Sequence, residues 1–289
     1  MMNKIKKKVM LSKFNWFNLG GPAELFCKPE NKSEIIDLVK FAKTKNYKIN
    51  ILGAGSNTLI RDNGVRGLTI KLGSEFRKLD LIKKDTLEVG SSTLDRKVAN
   101  FGLENSVSGF EFLSCIPGSI GGAVIMNSGC YGEDISKIFV SLKGINLDGD
   151  EVELKKSDIE FYYRKTDLPS DIIITSVTLQ GMSSKKAIIQ KKQSEFVKMK
   201  KDSQPSGVKT CGSTFKNPIG EKAWELIKRS KCENLSVGDA KISEKHSNFF
   251  INNGKASAKE IESLISSVQE KVFRETGINL ELEIKIVGD

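Results

Sequence analysis

Histidine is all but missing from this chain, with His246 its single example. A lone imidazole rules out most zinc sites and the Ser-His-Asp form of nucleophilic catalysis, and no metal is expected. The five cysteines (Cys27, Cys115, Cys130, Cys211 and Cys232) include no Cys-x-x-Cys pair. That excludes the usual zinc-ribbon and dithiol-exchange signatures, and an odd number of thiols suits a reducing compartment, here the cytoplasm. No apolar run approaches the roughly 20 residues needed to cross a bilayer, so membrane insertion is not expected. The lysine-rich start, residues 1–14, lacks the apolar stretch of a secretory signal and reads as a basic, partly frayed end.

Arginine is scarce as well. Seven of the 46 basic residues are arginine and the rest lysine, against 36 acids, for a formal net charge of +10. Lysine is a hydrated point charge without the planar fork that reads base edges, and the basic residues are spread along the chain. No nucleic acid is expected as a partner; a field that draws in phosphorylated small molecules fits the same charge. What is plentiful is ordinary: 289 residues, 38% hydrophobic and 28% charged, the balance of a soluble globular chain of about two domains.

The first 72 residues mix one helix with strands. Ser33 is placed to cap a helix whose apolar stripe is Ile35, Ile36, Leu38, Val39 and Ala42. Residues 47–52 read as a short strand running into a glycine-rich turn. From residue 68 to about 182 strands dominate, at 87–89, 144–147, 151–154 and 172–179, with Asp148-Gly149-Asp150 a strong hairpin turn. Residues 185–201 read as a lysine-rich linking helix. Farther on, Ser257 and Glu260 have capping-box spacing, Ile261, Leu264, Ile265, Val268 and Val272 recur at helical intervals, and Gly277 stops the helix. Apolar residues alternate over 280–286, which places Glu281, Glu283 and Lys285 on one face of a terminal strand.

Two glycine turns stand out. Gly53-Ala54-Gly55-Ser56-Asn57 follows a strand, as a phosphate-binding turn should. Thr58 stands where a dinucleotide fingerprint needs its third glycine, and no amphipathic helix follows. The second turn, Pro117-Gly118-Ser119-Ile120-Gly121-Gly122-Ala123, strings together small residues whose N–H groups can cradle an anion. Asn127 adds a polar side chain nearby. Two cradles without a P-loop lysine suggest a diphosphate gripped from two sides; purely structural turns are the alternative.

Taken in register, these motifs resemble the UDP-N-acetylenolpyruvoylglucosamine reductase (UDP-N-acetylmuramate dehydrogenase) family of flavoenzymes. The resemblance is carried by Asn18-Leu19-Gly20-Gly21-Pro22-Ala23, the turns at 53–57 and 116–123, and Tyr163-Arg164. It continues through Gly212-Ser213-Thr214-Phe215-Lys216-Asn217-Pro218 to Leu282-Glu283-Ile284. It implies an α+β fold: the FAD-binding fold of the vanillyl-alcohol-oxidase-like (PCMH-type) flavoproteins plus a C-terminal substrate-binding α+β domain. The implied division is 1–72, completed by a strand at 278–289, and 73–184 for two FAD-binding portions. A linking helix at 185–201 and a substrate-binding domain at 202–277 follow. No tyrosine comes after Tyr163, so the chain is similar to the shorter subtype, which lacks an extra loop bearing a substrate-binding tyrosine.

The resemblance implies NADPH-dependent, FAD-mediated reduction of a UDP-sugar enolpyruvyl ether to UDP-N-acetylmuramate, a cytoplasmic step of peptidoglycan synthesis. FAD would be held noncovalently by Gly53, Ala54, Gly55, Ser56, Asn57, Pro117, Gly118, Ser119, Gly121, Gly122 and Asn127. Ser213 matches the proton donor to the substrate carbon. Arg164 and a protonated Glu283 match the groups that stabilise the developing enolate. Lys201, Lys216, Asn217, His246 and Asn248 match the substrate side, and a monomer is expected. Plainer readings stand beside these: Ser213 as a turn serine, Arg164 and Glu283 as a surface ion pair, Lys201 as a solvated lysine, His246 as a structural histidine.

Two rival functions remain open at this level. An FAD-linked oxidase of an alcohol or hydroxy acid would share the broad fold, but the contexts of Ser213 and Glu283 favour the reductase. A basic nucleic-acid-binding protein would be colourless and would bind oligonucleotides in a salt-sensitive way.

Overall fold

Leu142, Val177 and Val89 stand opposite one another on successive antiparallel strands, and all three are buried. They mark the apolar face of a five-stranded antiparallel sheet, ordered Glu151–Lys155, Phe139–Asn146, Ile172–Gln180, Thr86–Gly90, Leu79–Lys83. The inner strands supply most of that face, while the edge strand Leu79–Lys83 is largely exposed. The expected hairpin at 148–150 joins the first two strands, with Ile145 opposite Glu151 and Gly149 at φ +96°.

The computed structural model describes residues 2–289, and the sheet lies in one of two units into which the chain divides. This first unit comprises Phe26–Ala54 and Gly67–Lys200 with the N-terminal residues to Lys6; the second comprises Lys7–Leu25, Gly55–Arg66 and Lys201–Asp289. The backbone changes unit inside the first glycine turn, between Ala54 and Gly55.

Among the described residues three α-helices lie within the first unit, and a fourth spans the change of unit after Lys200. Helix α1, Lys32–Thr44, is capped by Asn31, whose side chain accepts from the Glu34 N–H, and not by Ser33. The Asn31 cap starts the helix at Lys32 and leaves Ser33 inside the first turn. Helix α2, Asp95–Glu104, buries Asp95, Val98, Ala99 and Gly102. Gly102 is required there, because a Cβ would lie 2.8 Å from the Phe110 ring. Helix α3, Ile120–Ile125, is a short turn within the second glycine-rich segment. Helix α4, Lys186–Ser203, is the expected lysine-rich helix and buries only Ile189. The N-terminus departs from expectation, since Lys6–Met10 forms a strand rather than a frayed end.

In the second unit, Ser236–Val237, Ala240–Ile242 and Phe250–Asn252 form a three-stranded sheet under helices α5, Ala223–Arg229, and α6, Ala258–Thr276. Phe215 and Phe250 meet edge to face at 5.7 Å in its core. Helix α6 buries Ile261, Leu264, Ile265, Val268 and Val272 as the spacing predicts, each such side chain contributing roughly 1.5–3 kcal/mol on burial. Its start is fixed by the Ser257–Glu260 capping box and by Asp62, which accepts from the Ala258 and Lys259 N–H groups. Gly277 ends it at φ +72°.

The terminal strand is not continuous. Leu282 bridges Phe215, the chain bends at Ile284, and Lys285–Val287 then pairs in parallel with Thr58–Ile60. A segment that changes partner in mid-course has to bend, and alternation alone does not reveal the change. Among the described residues no helix is long and apolar enough to cross a membrane.

The capping box gives a direct test. Ser257→Ala removes the acceptor for the Glu260 N–H and is expected to lower unfolding stability by about 0.5–2 kcal/mol, measured by urea titration, with the m-value unchanged.

Candidate active site

Gly53 and Ser119, one from each glycine turn, face each other in the first unit: a Cβ on Gly53 would lie 3.1 Å from the Ser119 hydroxyl. They share the wall of a cavity of about 150 Å³. Ala54, Leu72 and Leu94 supply apolar surface, Ser92 and Thr93 supply hydroxyls, and Lys71, Arg77 and Lys97 supply positive charge. Among the described residues no carboxylate lines it. A cavity with three cations and no acid is built for an anion.

Its walls are fixed by backbone bonds. The Ile120 N–H donates to the Thr93 carbonyl at 3.0 Å, the Gly121 N–H to the Ser91 carbonyl at 2.8 Å, and the Asp95 N–H to the Gly118 carbonyl at 3.3 Å. The second turn is thus fastened to the loop at 90–95, and two N–H groups of the expected nest serve that fastening. The paired glycines divide the work. A Cβ on Gly121 would meet Ser91 at 3.1 Å, whereas one on Gly122 would meet nothing nearer than the Ser119 hydroxyl at 3.9 Å. Gly121 packs; Gly122 leaves a face open to a ligand.

Lys71 follows the buried strand Val65–Ile70 and donates its ammonium to the Gly53 carbonyl. Burial, then Lys28 and Arg77, push its pKa down to about 8. Thr93 Oγ1, Ser91 Oγ and both oxygens of Asp95 are buried without a hydrogen-bond partner. Burial drives the Asp95 carboxyl well above its ordinary range, so it is held neutral. An orphaned hydroxyl on the lining, an open glycine face and a cationic wall all fit the phosphate-bearing part of FAD. Gly53, Ala54, Ser119, Gly122 and Thr93 would hold it, with Lys71 against its charge.

Several expected cofactor contacts have other duties. Gly55 sits at φ +69° and a Cβ there would fall 2.1 Å from the Phe14 carbonyl oxygen, so its glycine is demanded by the second unit's own backbone. Ser56 is buried beside it. Asn57 donates its amide to the Glu283 carbonyl at 3.0 Å, and its own carbonyl accepts from the Lys285 N–H at 2.9 Å. Asn127, expected at the cofactor, spends its amide on the Tyr162 carbonyl and the Ser136 N–H, both at 3.0 Å. Pro117 and Gly118 lie in the turn that Asp95 and Thr93 hold.

The catalytic candidates are each held by main chain. Arg164 lies between the paired residues Phe161–Tyr162 and Lys165–Thr166, at φ +54°. Its guanidinium donates to the Gly129 carbonyl at 2.5 Å and stands 5.0 Å from the Tyr163 ring centre. A non-glycine residue in the left-handed region stores strain of order 1 kcal/mol or more, a pattern common at functional sites. In the second unit, Ser213 is half-buried and bridges Phe249. The Glu283 N–H donates to the carbonyl of Thr214, the residue after Ser213, at 2.8 Å. Ser213 and Glu283 are therefore brought together, one peptide apart.

On the expected substrate side the structure is selective. Lys216, its side chain 13% exposed, pairs with Glu281 at 2.6 Å, and Asn217 accepts from the Ala223 N–H at the start of α5. Lys201 is exposed, its carbonyl accepting from the Lys245 ammonium. His246 packs edge-on against Phe249, and burial lowers its pKa, keeping it neutral. Asn248, 3% exposed, accepts at its amide oxygen from the Phe215 N–H and donates to the Phe215 carbonyl, as a strand neighbour would. The residues missed by sequence reasoning are Lys71, Thr93, Arg77 and Lys97, each an ordinary residue with no motif around it.

Comparison with known proteins agrees with this assembly. The family model "FAD binding domain" matches residues 23–155, and the model "UDP-N-acetylenolpyruvoylglucosamine reductase, C-terminal domain" matches 204–287. The chain is 42% identical over 292 residues to the UDP-N-acetylenolpyruvoylglucosamine reductase of Pelagibacter ubique, covering 99% of this chain and 96% of that one. It is 42% identical to that of Rickettsia bellii, covering 98% and 93%. The crystal structure of the reductase from Thermus caldophilus is similar at a TM-score of 0.87 and 32% identity, covering 98% of this chain and all of that one.

Asp95 generates a stability test. A carboxyl whose folded-state pKa is raised costs nothing below the ordinary range, and its burial penalises folding increasingly as pH rises and the unfolded chain ionises. Asp95→Asn is expected to raise Tm at pH about 7, by roughly 2–4 °C per kcal/mol in a chain of this size. The difference should vanish near pH 3, well into the range where both states are protonated. A lower Tm at neutral pH would mean that the native carboxyl is charged.

Proposed function

The chain belongs to the UDP-N-acetylenolpyruvoylglucosamine reductase family, and from that membership we propose that it reduces the enolpyruvyl ether of UDP-N-acetylglucosamine to UDP-N-acetylmuramate, for peptidoglycan synthesis. NADPH is the electron donor and FAD, noncovalently held, the carrier. The observation that carries the reading is the facing of Gly53 and Ser119 in an acid-free cationic cavity, within the residues matched as an FAD-binding domain.

FAD, held by Gly53, Ala54, Ser119, Gly122 and Thr93, would supply hydride transfer from NADPH to the enolpyruvyl double bond. The chain's residues do the rest. Ser213 gives a proton to the adjoining carbon, completing addition across the double bond. Arg164 and a protonated Glu283 stabilise the charge that develops towards the substrate carboxylate as the hydride arrives. Support for the role of Glu283 is the rigidity of its mounting: it is fixed through its N–H by Thr214 and through its carbonyl by Asn57. Lys216, Asn217 and Lys201 serve the UDP-sugar, its phosphates above all, and neutral His246 shapes the same side. NADPH and the sugar substrate use the site in turn.

The division into FAD-binding portions at 1–72 with 278–289 and at 73–184, a link at 185–201 and a substrate domain at 202–277 is part of the same proposal. Parallel pairing of Lys285–Val287 with Thr58–Ile60 supports the return of the terminal strand. We place the protein in the cytoplasm as a monomer; five free cysteines suit that compartment.

Lys71 predicts how cofactor retention depends on pH. Its ammonium is fully charged below its pKa of about 8 and is lost above it, so affinity for the FAD diphosphate should be flat to about pH 7 and fall about tenfold by pH 9. Titration of apoprotein with FAD, read by flavin fluorescence, checks this. Lys71→Arg should remove the pH dependence and keep binding; Lys71→Met should weaken binding throughout.

Ser213→Ala separates proton donation from the rest. Reduction of the bound flavin by NADPH, timed by absorbance under anaerobic mixing, should stay near the parent rate. Reoxidation by the UDP-sugar should slow by about 10²–10⁴-fold, the worth of a placed general acid. Equal slowing of both half-reactions would make Ser213 a shaping residue only.

A further inference from the structure

Tryptophan occurs twice in the chain, at Trp16 and Trp224. Trp224 lies in α5, and the fold does not use its ring as core. Ala223, Leu226 and Ile227 form the buried side of that helix and enter the core of the second unit. Trp224, 37% exposed, stands outside that core. Its backbone is nevertheless fixed, since its carbonyl accepts from the hydroxyl of buried Ser247 at 2.7 Å. An aromatic ring held partly in water on a fixed backbone gains its remaining burial energy from a ligand.

Two ties link this ring to the catalytic candidates of the same unit. The Trp224 and His246 rings lie 6.3 Å apart, and His246 meets Phe249 edge to face at 4.7 Å. Phe249 in turn bridges Ser213 in antiparallel register. The rings form a row that begins beside the proton donor and leads away from it to α5. Burial keeps His246 neutral, so the row suits an uncharged flat group rather than a phosphate. The second tie is Asn217, whose side-chain oxygen accepts from the Ala223 N–H at 3.0 Å, one residue before Trp224.

The order of these anchors follows the order of groups along a UDP-sugar. Ser213 stands at the enolpyruvyl carbon, Lys216 and Asn217 serve the phosphates, and the group beyond the phosphates is the uridine. Asn217 is bonded to the start of α5, where the exposed ring stands. A pyrimidine is flat and neutral, and its face stacks on an aromatic side chain as it does on another base.

We propose that Trp224 is a specificity-determining residue of the reductase: the uracil of the UDP-sugar stacks on its indole, with His246 closing the row on the catalytic side. The inference rests on the reductase reading for its substrate and adds the residue that recognises the nucleotide end. A stack at that end holds the ground state and the transition state alike. It therefore acts on KM and leaves the maximal rate unchanged.

The experiment uses the full-length, flavin-loaded enzyme. In Trp16→Phe, Trp224 is the one remaining tryptophan; titration with UDP should quench its fluorescence saturably, and inorganic pyrophosphate, which lacks the base, should not. In Trp224→Ala, the KM of the UDP-sugar for reoxidising the reduced flavin should rise about tenfold, within the worth of one base–aromatic stack. The maximal rate of that step should stay within about twofold of the parent, and Trp224→Phe should bring KM back near the parent value. An unchanged KM in Trp224→Ala would overturn the proposal, as would a lower maximal rate that Trp224→Phe does not restore. So would UDP that competes with the UDP-sugar without altering the fluorescence of Trp224. Failure of the UDP-sugar to reoxidise the parent flavin would instead overturn the reductase reading; quenching by UDP would then still support the stack, and its absence would overturn both.

Discussion

The first unit depends on one close approach, the backbone of Gly121 against Ser91. A side chain on Gly121 would run into Ser91 at 3.1 Å, and without that approach the Gly121 N–H loses the Ser91 carbonyl. With it come the Ile120–Thr93 bond, the Leu94–Ser119 bridge and the start of α2 at Asp95. The turn is thus held from behind before any ligand arrives, and Ser119 and Gly122 are presented on its other side. Buried Ser91, Thr93 and Asp95 atoms without partners are the local cost. Departures from full polar satisfaction of this kind gather at functional sites.

In the second unit the corresponding fixture is Thr214. Its carbonyl accepts from Glu283, its N–H donates to the Asn248 carbonyl, and Asn57 holds the far side of Glu283. Ser213 and Glu283 therefore move, if at all, as one piece. Placement of reacting groups to within a fraction of an ångström is what such backbone mounting provides.

Repetitive local chemistry was legible in the sequence. The capping box, the stripe from Ile261 to Val272 and the Asp148-Gly149-Asp150 hairpin each encode their structure within a few residues. The glycine turns announced an anion site, but not that Gly121 and Gly122 would have opposite tasks. Long-range asparagine bonds were not legible: the amides of Asn57, Asn127 and Asn248 satisfy main chain at Glu283, Tyr162 and Phe215. A side-chain amide offers the same donor and acceptor as a peptide, so only the position of a distant backbone segment decides which it serves. The bend at Ile284 was hidden for the same reason, since Phe215 and Thr58, its successive neighbours, are far apart in sequence.

Charge shows how position outweighs total. Lys32, Lys43 and Lys78 meet Glu151, Asp148 and Glu75 at the surface, where water and salt leave such pairs worth about 0–1 kcal/mol each. Such surface pairs carry little of the function. Lys71 differs only in its surroundings: desolvated, beside other cations and opposite a carbonyl rather than a carboxylate. A lysine so placed is costly to keep charged in the free protein, and an arriving diphosphate relieves that cost. Lys71 is an ordinary residue in sequence; its neighbours, supplied by other segments of the first unit, leave it with an unmet electrostatic demand.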